Sequence, residues 1–368
     1  MKAGGPVGIG IIGAGVISDT YLENLTAFAD TTVLAIGDLR PDVARTKAAE
    51  HGVAAAGDVG VVLGHPDVEI VVNLTIPAAH ADVAMGAIAA GKRVWNEKPL
   101  ALDRAGGRTV LDAADKARLR VGCAPDTFLG AGLQTARRVI DAGAIGDPLT
   151  ALALLQSPGP DAWHPNPAFL FQTGGGPLFD IGPYYLTALV QIFGPIRSVS
   201  AAASTARDRR VIGAGPHAGE LFDVTEPSHV GALLRFSDGQ SAQAIFSFDS
   251  AVSRILLEVS GRDATMILPD PNEFDGDIEI RRDGPGAANT VKPTAARSTR
   301  GTGVLEMARA IREDRPHRAD GALAYHVLDV MVAIGEAAAS GAAVQIQSTV
   351  AIPALLPEDW DPVAPTIR

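Results

Sequence analysis

Short apolar runs alternating with helix-period segments organise the first third of the chain, the pattern of parallel βαβ units. Val7–Ile12 is a continuous apolar run and predicts a buried strand, followed by a helix over residues 16–28. Residues 33–36 predict a second strand ending at Gly37-Asp38, and residues 70–74 a third. Pro77 opens a helix that runs to Ala90, where Gly91 stops it. Val94-Trp95 marks another strand, with Glu97-Lys98-Pro99 just past its carboxyl end. Open parallel sheets bind ligands outside that edge. The unit closes around residues 121–125.

Beyond it the pattern changes. Residues 128–142 predict a helix ended by Gly143, and residues 150–156 a strand. A proline-rich stretch, 157–167, leads to the run Gly174-Gly175-Gly176. Residues 178–193 predict a helix that Pro183 should kink or restart. Alternating runs at 198–204, 230–236, 242–248 and 255–260 predict a mainly antiparallel sheet with one helical face. Residues 269–302 read as loop, and helices return at 304–312 and 323–339. The expected fold class is α/β, with a nucleotide-binding domain over residues 1–124 and a substrate and oligomerisation domain over 125–368.

A length of 368 residues suits two domains. The chain is 47% apolar and 20% charged, as ordinary globular proteins are. A net charge of -11 with no block of Lys and Arg argues against a nucleic-acid partner. Cys123 is the only cysteine, which excludes an intrachain disulfide; in its apolar run it reads as a packing residue. Residues 1–6 are too short for a signal peptide before the first strand, and no apolar run approaches the roughly 20 residues of a membrane span. A cytoplasmic protein without a membrane partner is expected.

Gly13-x-Gly15-x-x-Ser18 follows a strand and opens a helix, as a dinucleotide fingerprint requires. Gly13 permits the tight turn and Gly15 the approach of a pyrophosphate to the helix N-terminus. Ser18 replaces the third glycine at a packing position that tolerates a small side chain. Asp38 falls where an acidic residue bonds ribose hydroxyls, which favours NAD; Arg40 could meet a 2′-phosphate, so NADP stays open. Val16, Ile17 and Leu39 flank these positions and are candidate cofactor contacts.

Lys98 stands before Pro99, which biases it toward extended backbone, and beside Glu97. The run Gly91-Lys92-Arg93-Val94-Trp95-Asn96-Glu97-Lys98-Pro99-Leu100 resembles a signature of the glucose-fructose oxidoreductase, inositol dehydrogenase and rhizopine-catabolism (Gfo/Idh/MocA) family. The similarity extends to residues 7–18, to Asn73-Leu74-Thr75-Ile76-Pro77-x-x-His80, and to Gly174-Gly175-Gly176-Pro177-Leu178-Phe179-Asp180-Ile181-Gly182-Pro183-Tyr184. The resemblance implies an N-terminal Rossmann doubly wound sheet and a C-terminal α/β domain whose large, mainly antiparallel open sheet builds a homo-oligomer, a dimer or tetramer. It implies redox chemistry on a sugar, cyclitol or related carbonyl. It places the family's catalytic lysine at Lys98, and Leu74, Thr75, Ile76, His80 and Glu97 near the cofactor. The second-domain Asp-x-x-x-His motif falls on Asp180 and Tyr184, and a tyrosine there is similar to the glucose-fructose oxidoreductase and dihydrodiol dehydrogenase branch.

A phenol can also pass a proton. A Lys98 ammonium about 4 Å away would favour phenolate by roughly 4 kcal/mol at an effective dielectric near 20, before desolvation opposes it. The expected reaction has Tyr184, or Lys98 directly, accept the hydroxyl proton while Lys98 stabilises the alkoxide and Asp180 orients the substrate hydroxyl or the lysine. Trp163 and His164 suit a sugar face and its hydroxyls, and Asp126, with Thr127, and His326 are further candidates for substrate contact. No cluster of His, Cys and carboxylates has ligand spacing, so no metal is expected. Two other readings remain open: a glycosidase using tightly held NAD for transient sugar oxidation, and a regulator that binds nucleotide without turnover.

Overall fold

The computed structural model describes residues 4–284, 288–294 and 298–367. The chain divides into two compact units. The first is Met1–Leu129 with Ala296–Tyr325 and Leu356–Arg368; the second is Gly130–Ala295 with His326–Leu355. The expected cut at 124/125 lies close to the first of these boundaries but leaves out the two later segments that rejoin the first unit.

The first unit is built on β1 (Val7–Ile12), α1 (Val16–Ala27), β2 (Thr31–Gly37), α2 (Pro41–His51), β3 (Ala55–Gly57), α3 (Val59–Leu63), β4 (Ile70–Asn73), α4 (His80–Ala89), β5 (Arg93–Asn96), α5 (Arg104–Ala117) and β6 (Val121–Cys123). The six strands are parallel, in the order β3-β2-β1-β4-β5-β6. This is the doubly wound Rossmann order. All residues of β1 and β4 are buried, which is why these strands read as unbroken apolar runs. Pro77 opens a single 3-10 turn over Pro77–Ala79 before α4. The sequence pattern missed α2, β3, α3 and α5. The inward residues of α2 are Ala44 and Ala48, and those of α5 are Gly107, Val110 and Ala114. The small inward residues of α2 carry little hydrophobic period, whereas α5 is amphipathic and its period was there to be found.

The second unit holds α6 (Ala131–Asp141), β7 (Pro148–Gln156), α7 (Gly176–Phe193), β8 (Ile196–Ser204), β9 (Arg209–Val211), β10 (Leu221–Asp223), β11 (His229–Phe236), β12 (Ser241–Ser247), β13 (Arg254–Gly261), β14 (Thr265–Leu268), β15 (Ile278–Arg281), β16 (Ala288–Val291) and β17 (Val344–Gln345). Nine of these strands form one sheet, β16-β15-β14-β13-β7-β12-β11-β8-β17, antiparallel except where β7 pairs with β12. Strands β9 and β10 make a separate hairpin. Residues 269–302 are therefore more than loop. In β15 only Ile278 and Ile280 are buried, and β16 at the sheet edge is mostly exposed, so neither shows an apolar run.

Pro183 does not restart the predicted helix: α7 is continuous over eighteen residues. The missing proline N–H is a local loss. Fifteen of the eighteen residues are buried, and that packing decides the outcome. The remaining helices are α8 (Thr302–Arg312) and α9 (Gly321–Ser340). Helix α9 corrects the expectation about apolar runs, because by length and composition it could cross a membrane. Some 61% of its apolar window is buried inside the structure, as in a core helix.

Within the first unit, α8 carries a buried ion pair. Arg309 Nε donates to Asp30 Oδ2 at 2.8 Å, and its Nη atoms donate to the carbonyls of Asp361 and Ala364. Asp30 also accepts the amides of Thr366 and Ile367. Burial pushes the Asp30 carboxyl up, but the hydrogen bonds from Ile367, Thr366 and Arg309 outweigh it and hold the pKa below the usual value. Such a group stabilises the fold above its unfolded pKa, and that contribution is lost as pH falls through its folded value. Asp30→Asn is expected to cost about 3 kcal/mol in urea unfolding at pH 7, because it leaves Arg309 buried without its charge partner. The gap to wild type should shrink as pH drops below the carboxylate range; a constant gap would show that the pairing is not charge-dependent.

Candidate active site

The carboxyl edge of the parallel sheet gathers most of the cofactor candidates within the first unit. Gly13 ends β1 with φ 102°, and a Cβ there would lie 2.7 Å from the Leu74 backbone. Conformation and space both demand glycine. The Gly13 amide donates to Gly37 O at 2.8 Å. Asp38 takes the Ala14 amide on Oδ2 and the Arg40 amide on Oδ1, each at 2.8 Å, so one carboxylate ties the turn to the end of β2. Ser18 is buried and its Oγ donates to Gly15 O at 2.6 Å, the local economy that lets serine replace glycine.

Gly15 caps α1 without any side-chain hydrogen bond, and a Cβ on it would meet nothing within 4 Å. The space beside Gly15 at the start of α1 is therefore open, and a helix N-terminus favours an anion there. Around it Val16, Leu39 and Ile76 are 82%, 92% and 59% exposed. A helix N-terminus, a carboxylate with spare lone pairs and exposed apolar flanks fit a dinucleotide's phosphates, ribose and rings. Ile17 and Thr75 are half-buried at the same edge, and Leu74 is buried beneath it.

Lys98 lies just past β5, half-buried, on a strap held from three sides. Glu97 Oε2 accepts the Lys98 amide at 3.1 Å, while Oε1 accepts the Tyr21 hydroxyl at 2.7 Å. His80 sets Nδ1 2.6 Å from Pro99 O and Nε2 3.0 Å from Thr75 O. Asn96 Nδ2 donates to Leu100 O at 3.3 Å and its Oδ1 accepts Asn73 Nδ2 at 2.9 Å. Asn73 Oδ1 in turn accepts Thr75 Oγ1 at 2.6 Å. Burial raises the Tyr21 pKa well above its usual value, with Glu97 adding to it, so the phenol stays a donor. Burial lowers the His80 pKa, and the Pro99 and Thr75 carbonyls at its two ring nitrogens oppose that shift. Glu97 and His80 thus brace the strap; at 8% and 1% exposure they are poorly placed to touch a cofactor.

In the second unit Asp180 and Tyr184 stand one turn apart on the unbroken α7 and share a face. Tyr184 is buried and Asp180 half-buried. His164 lies within reach of the Asp180 charge: burial lowers the imidazole pKa and the Asp180 carboxylate opposes that shift. Its ring meets Trp163 and Phe169 edge-on, with centroids 5.6 Å away in each case. Trp163 is 67% exposed.

Residues 7–124 match the family model described as the oxidoreductase family with an NAD-binding Rossmann fold, and residues 133–267 match the GFO/IDH/MocA C-terminal domain. The chain belongs to the Gfo/Idh/MocA oxidoreductase family. An inositol 2-dehydrogenase of Klebsiella pneumoniae (strain 342) is 35% identical over 147 residues, 38% of this chain and 43% of that protein. The match thus spans less than half the length of that curated relative. A crystal structure of an NAD binding oxidoreductase from Klebsiella pneumoniae superposes with a TM-score of 0.79 at 23% identity, covering 93% of this chain and 99% of that one. Levoglucosan dehydrogenase in complex with NADH and L-sorbose gives 0.81 at 21% identity, over 93% and 99%. At these identities the two structures speak for the fold alone.

Two expected contacts take other roles in this Gfo/Idh/MocA chain. Asp126 is fully buried and its Oδ2 accepts the Gly301 and Gly303 amides, each at 3.0 Å, so it caps α8; Thr127 beside it is buried too. His326 is fully buried within the second unit, where Nε2 accepts the Ile196 amide and Nδ1 meets Ser348 Oγ at 2.9 Å. Burial takes its pKa down to about 4, and it ties α9 to β8. Cys123 is buried, with its thiol pushed well up, as a packing residue would be. Asp19, Glu50 and His51 do come together on α1 and α2, a grouping that spacing along the chain does not reveal. Lys47 supplies their cation, 2.6 Å from Asp19. Tyr21, Asn73 and Asn96 escaped the sequence reading; the two asparagines carried a signal, as polar residues ending apolar strands.

Burial pushes the Asp126 pKa up to about 6 from 3.8, and its Oδ1 has no partner among the described residues. The folded chain then holds an extra proton between those values, so this group's contribution to stability falls as pH rises through that window. Asp126→Asn keeps an acceptor for the two amides and should flatten the slope of unfolding free energy between about pH 4 and 6. Urea unfolding across that range decides it; an unchanged slope contradicts the assignment.

Proposed function

We propose that this chain is an NAD-linked dehydrogenase or reductase, with NADP as a possible alternative, acting on a CH–OH carbon of a sugar, cyclitol or glycoside. The observation that carries the reading is the strap. It sets Lys98 past the end of β5, on the same sheet edge as the uncapped N-terminus of α1. The name of a relative, inositol 2-dehydrogenase, supports a cyclic polyhydroxylated substrate.

NAD, when bound, supplies the hydride acceptor. The α1 amides would hold its phosphates and Asp38 its adenine ribose. Lys98 stabilises the negative charge that develops on the substrate oxygen as its proton leaves. The proton would go to Tyr184 as the phenolate while Lys98 stays an ammonium, or directly to Lys98 as the neutral amine, and Asp180 would orient the hydroxyl or the lysine. Glu97, His80 and Asn96 hold the lysine's backbone so that little reorganisation remains at the moment of reaction.

The test is a spectrophotometric screen of polyols, aldoses and glycosides with NAD and NADP in parallel. NADH formed in step with substrate consumed supports the dehydrogenase, whereas net hydrolysis without it would replace that reading with the glycosidase one. Lys98→Ala should lower kcat/KM on the order of 10²- to 10⁴-fold, with NADH affinity by fluorescence kept. Tyr184→Phe should lower kcat and remove the acidic limb of the pH profile for oxidation, where turnover falls as the phenolate is protonated. Turnover of Lys98→Ala within a few-fold of wild type would refute the mechanism.

A further inference from the structure

Arg210, on β9 in the second unit, has a side chain only 1% exposed. Its Nη1 donates to Asp161 Oδ1 at 2.6 Å and to Pro158 O at 2.9 Å; its Nη2 donates to Phe248 O at 2.6 Å and to Asp249 Oδ1. Ser228 Oγ donates to the other Asp249 oxygen. The guanidinium lies 4.7 Å above the Phe171 ring, a favourable placement for a desolvated cation. Burying an ion triad is a poor route to stability, since desolvation offsets the attraction. Its geometric effect is plain: one side chain joins the 158–161 loop, the β9–β10 hairpin, Phe171 and the end of β12.

That loop carries Trp163 and His164, and its backbone is pressed onto the hairpin. Gly159 has φ 110°, and a Cβ there would fall 2.6 Å from Arg210 Nη1. The Gly213 amide donates to Asp161 O at 2.8 Å, and a Cβ on Gly213 would sit 2.8 Å from Ala162 O. A Cβ on Gly215 would lie 2.6 Å from Pro165 Cβ. The amides of Trp163 and His164 both donate to Pro160 O. Beneath lies a cluster of Phe171, Ile212, Phe222 and Phe248. Above it, Trp163 and Phe169 stay 67% and 36% exposed on either side of His164, which feels the Asp180 charge. The exposed rings of Trp163 and Phe169 thus stand over a base tied by hydrogen bonds and close backbone contacts.

We infer that Arg210 is a positioning residue that fixes Trp163, His164 and Phe169 as a rigid wall beside Asp180, and that this wall recognises a closed polyhydroxylated ring, a pyranose or cyclitol, over an open-chain polyol. The inference rests on the redox reading above for the reacting group. A closed ring presents a flat C–H face that stacks on an indole. An open chain must give up its torsional freedom to present the same face. A rigid wall therefore discriminates between them, whereas a mobile one would adapt to both.

The test uses the full chain with NAD and three probes: myo-inositol, glucose and sorbitol. Arg210→Lys keeps the charge but loses the two-armed fork. It should raise KM for the preferred ring substrate on the order of tenfold while kcat and NADH affinity hold, and it should narrow the gap in kcat/KM between ring and open chain. In a Trp163→Ala background the same change should add little, because both act through one wall. Hydrogen exchange at the Trp163, His164 and Gly213 amides should quicken. Asp161→Asn, which loosens only the loop arm, should reproduce these effects if Arg210→Lys does not fold. An unchanged ring preference in a folded variant, or effects that simply add to Trp163→Ala, would overturn the inference. If wild type turns over none of the probes, the broader screen above decides the redox reading; the change in Trp163 emission on adding myo-inositol against sorbitol, isolated by difference from a Trp163→Phe variant because the chain has three tryptophans, then decides the wall, and equal changes overturn it.

Discussion

The Glu97 carboxylate is the constraint on which the proposed chemistry depends. Buried at the end of β5, it accepts the amide of Lys98 with one oxygen and the Tyr21 hydroxyl with the other. A buried carboxylate left without such donors would be costly, so the strap and the first helix hold each other in register. His80 on the Pro99 carbonyl and Asn96 on the Leu100 carbonyl complete the support. A lysine on a free loop would spend binding energy on ordering itself; here the fold has already done the ordering.

The same economy shapes the nucleotide edge. Asp38 is engaged with backbone amides on both oxygens, so its position is set before any ribose arrives. The N-terminus of α1 is left uncapped where most helices would have a serine or aspartate. In the second unit a buried arginine does for the aromatic loop what Glu97 does for the lysine strap. In each case a buried charged group bonded to several partners holds a segment for which a role is proposed, at some expense in stability.

Much of this was legible in the sequence because it lies at element ends. Strands β1 and β4 are buried along their length and read as apolar runs, so Gly13 stands out directly after one, and Asp38 and Lys98 lie close past the ends of β2 and β5. Helix α2 was not legible, since alanine alone fills its inward face, while α5 carried an amphipathic period that the reading passed over. Asp126 and His326 looked like pocket residues because the chain shows a polar group without showing what it meets. The partners of Asp126 lie 175 and 177 positions away, and the Ile196 amide on His326 is 130 away. Arg210 was invisible for the same reason: its two carboxylates come from distant loops. Local patterns report which groups are polar, and only the fold reports which of them are already satisfied.

The most direct test of this account is the single-turnover rate of NADH formation at 340 nm in Glu97→Ala, with cofactor and substrate saturating. A lysine held by its buried neighbour predicts a hydride-transfer step slowed at least about tenfold, with the dissociation constant for NADH nearly unchanged. A folded variant that transfers hydride at the wild-type rate would show that the strap needs no brace, and that the lysine's position is not what the reaction depends on.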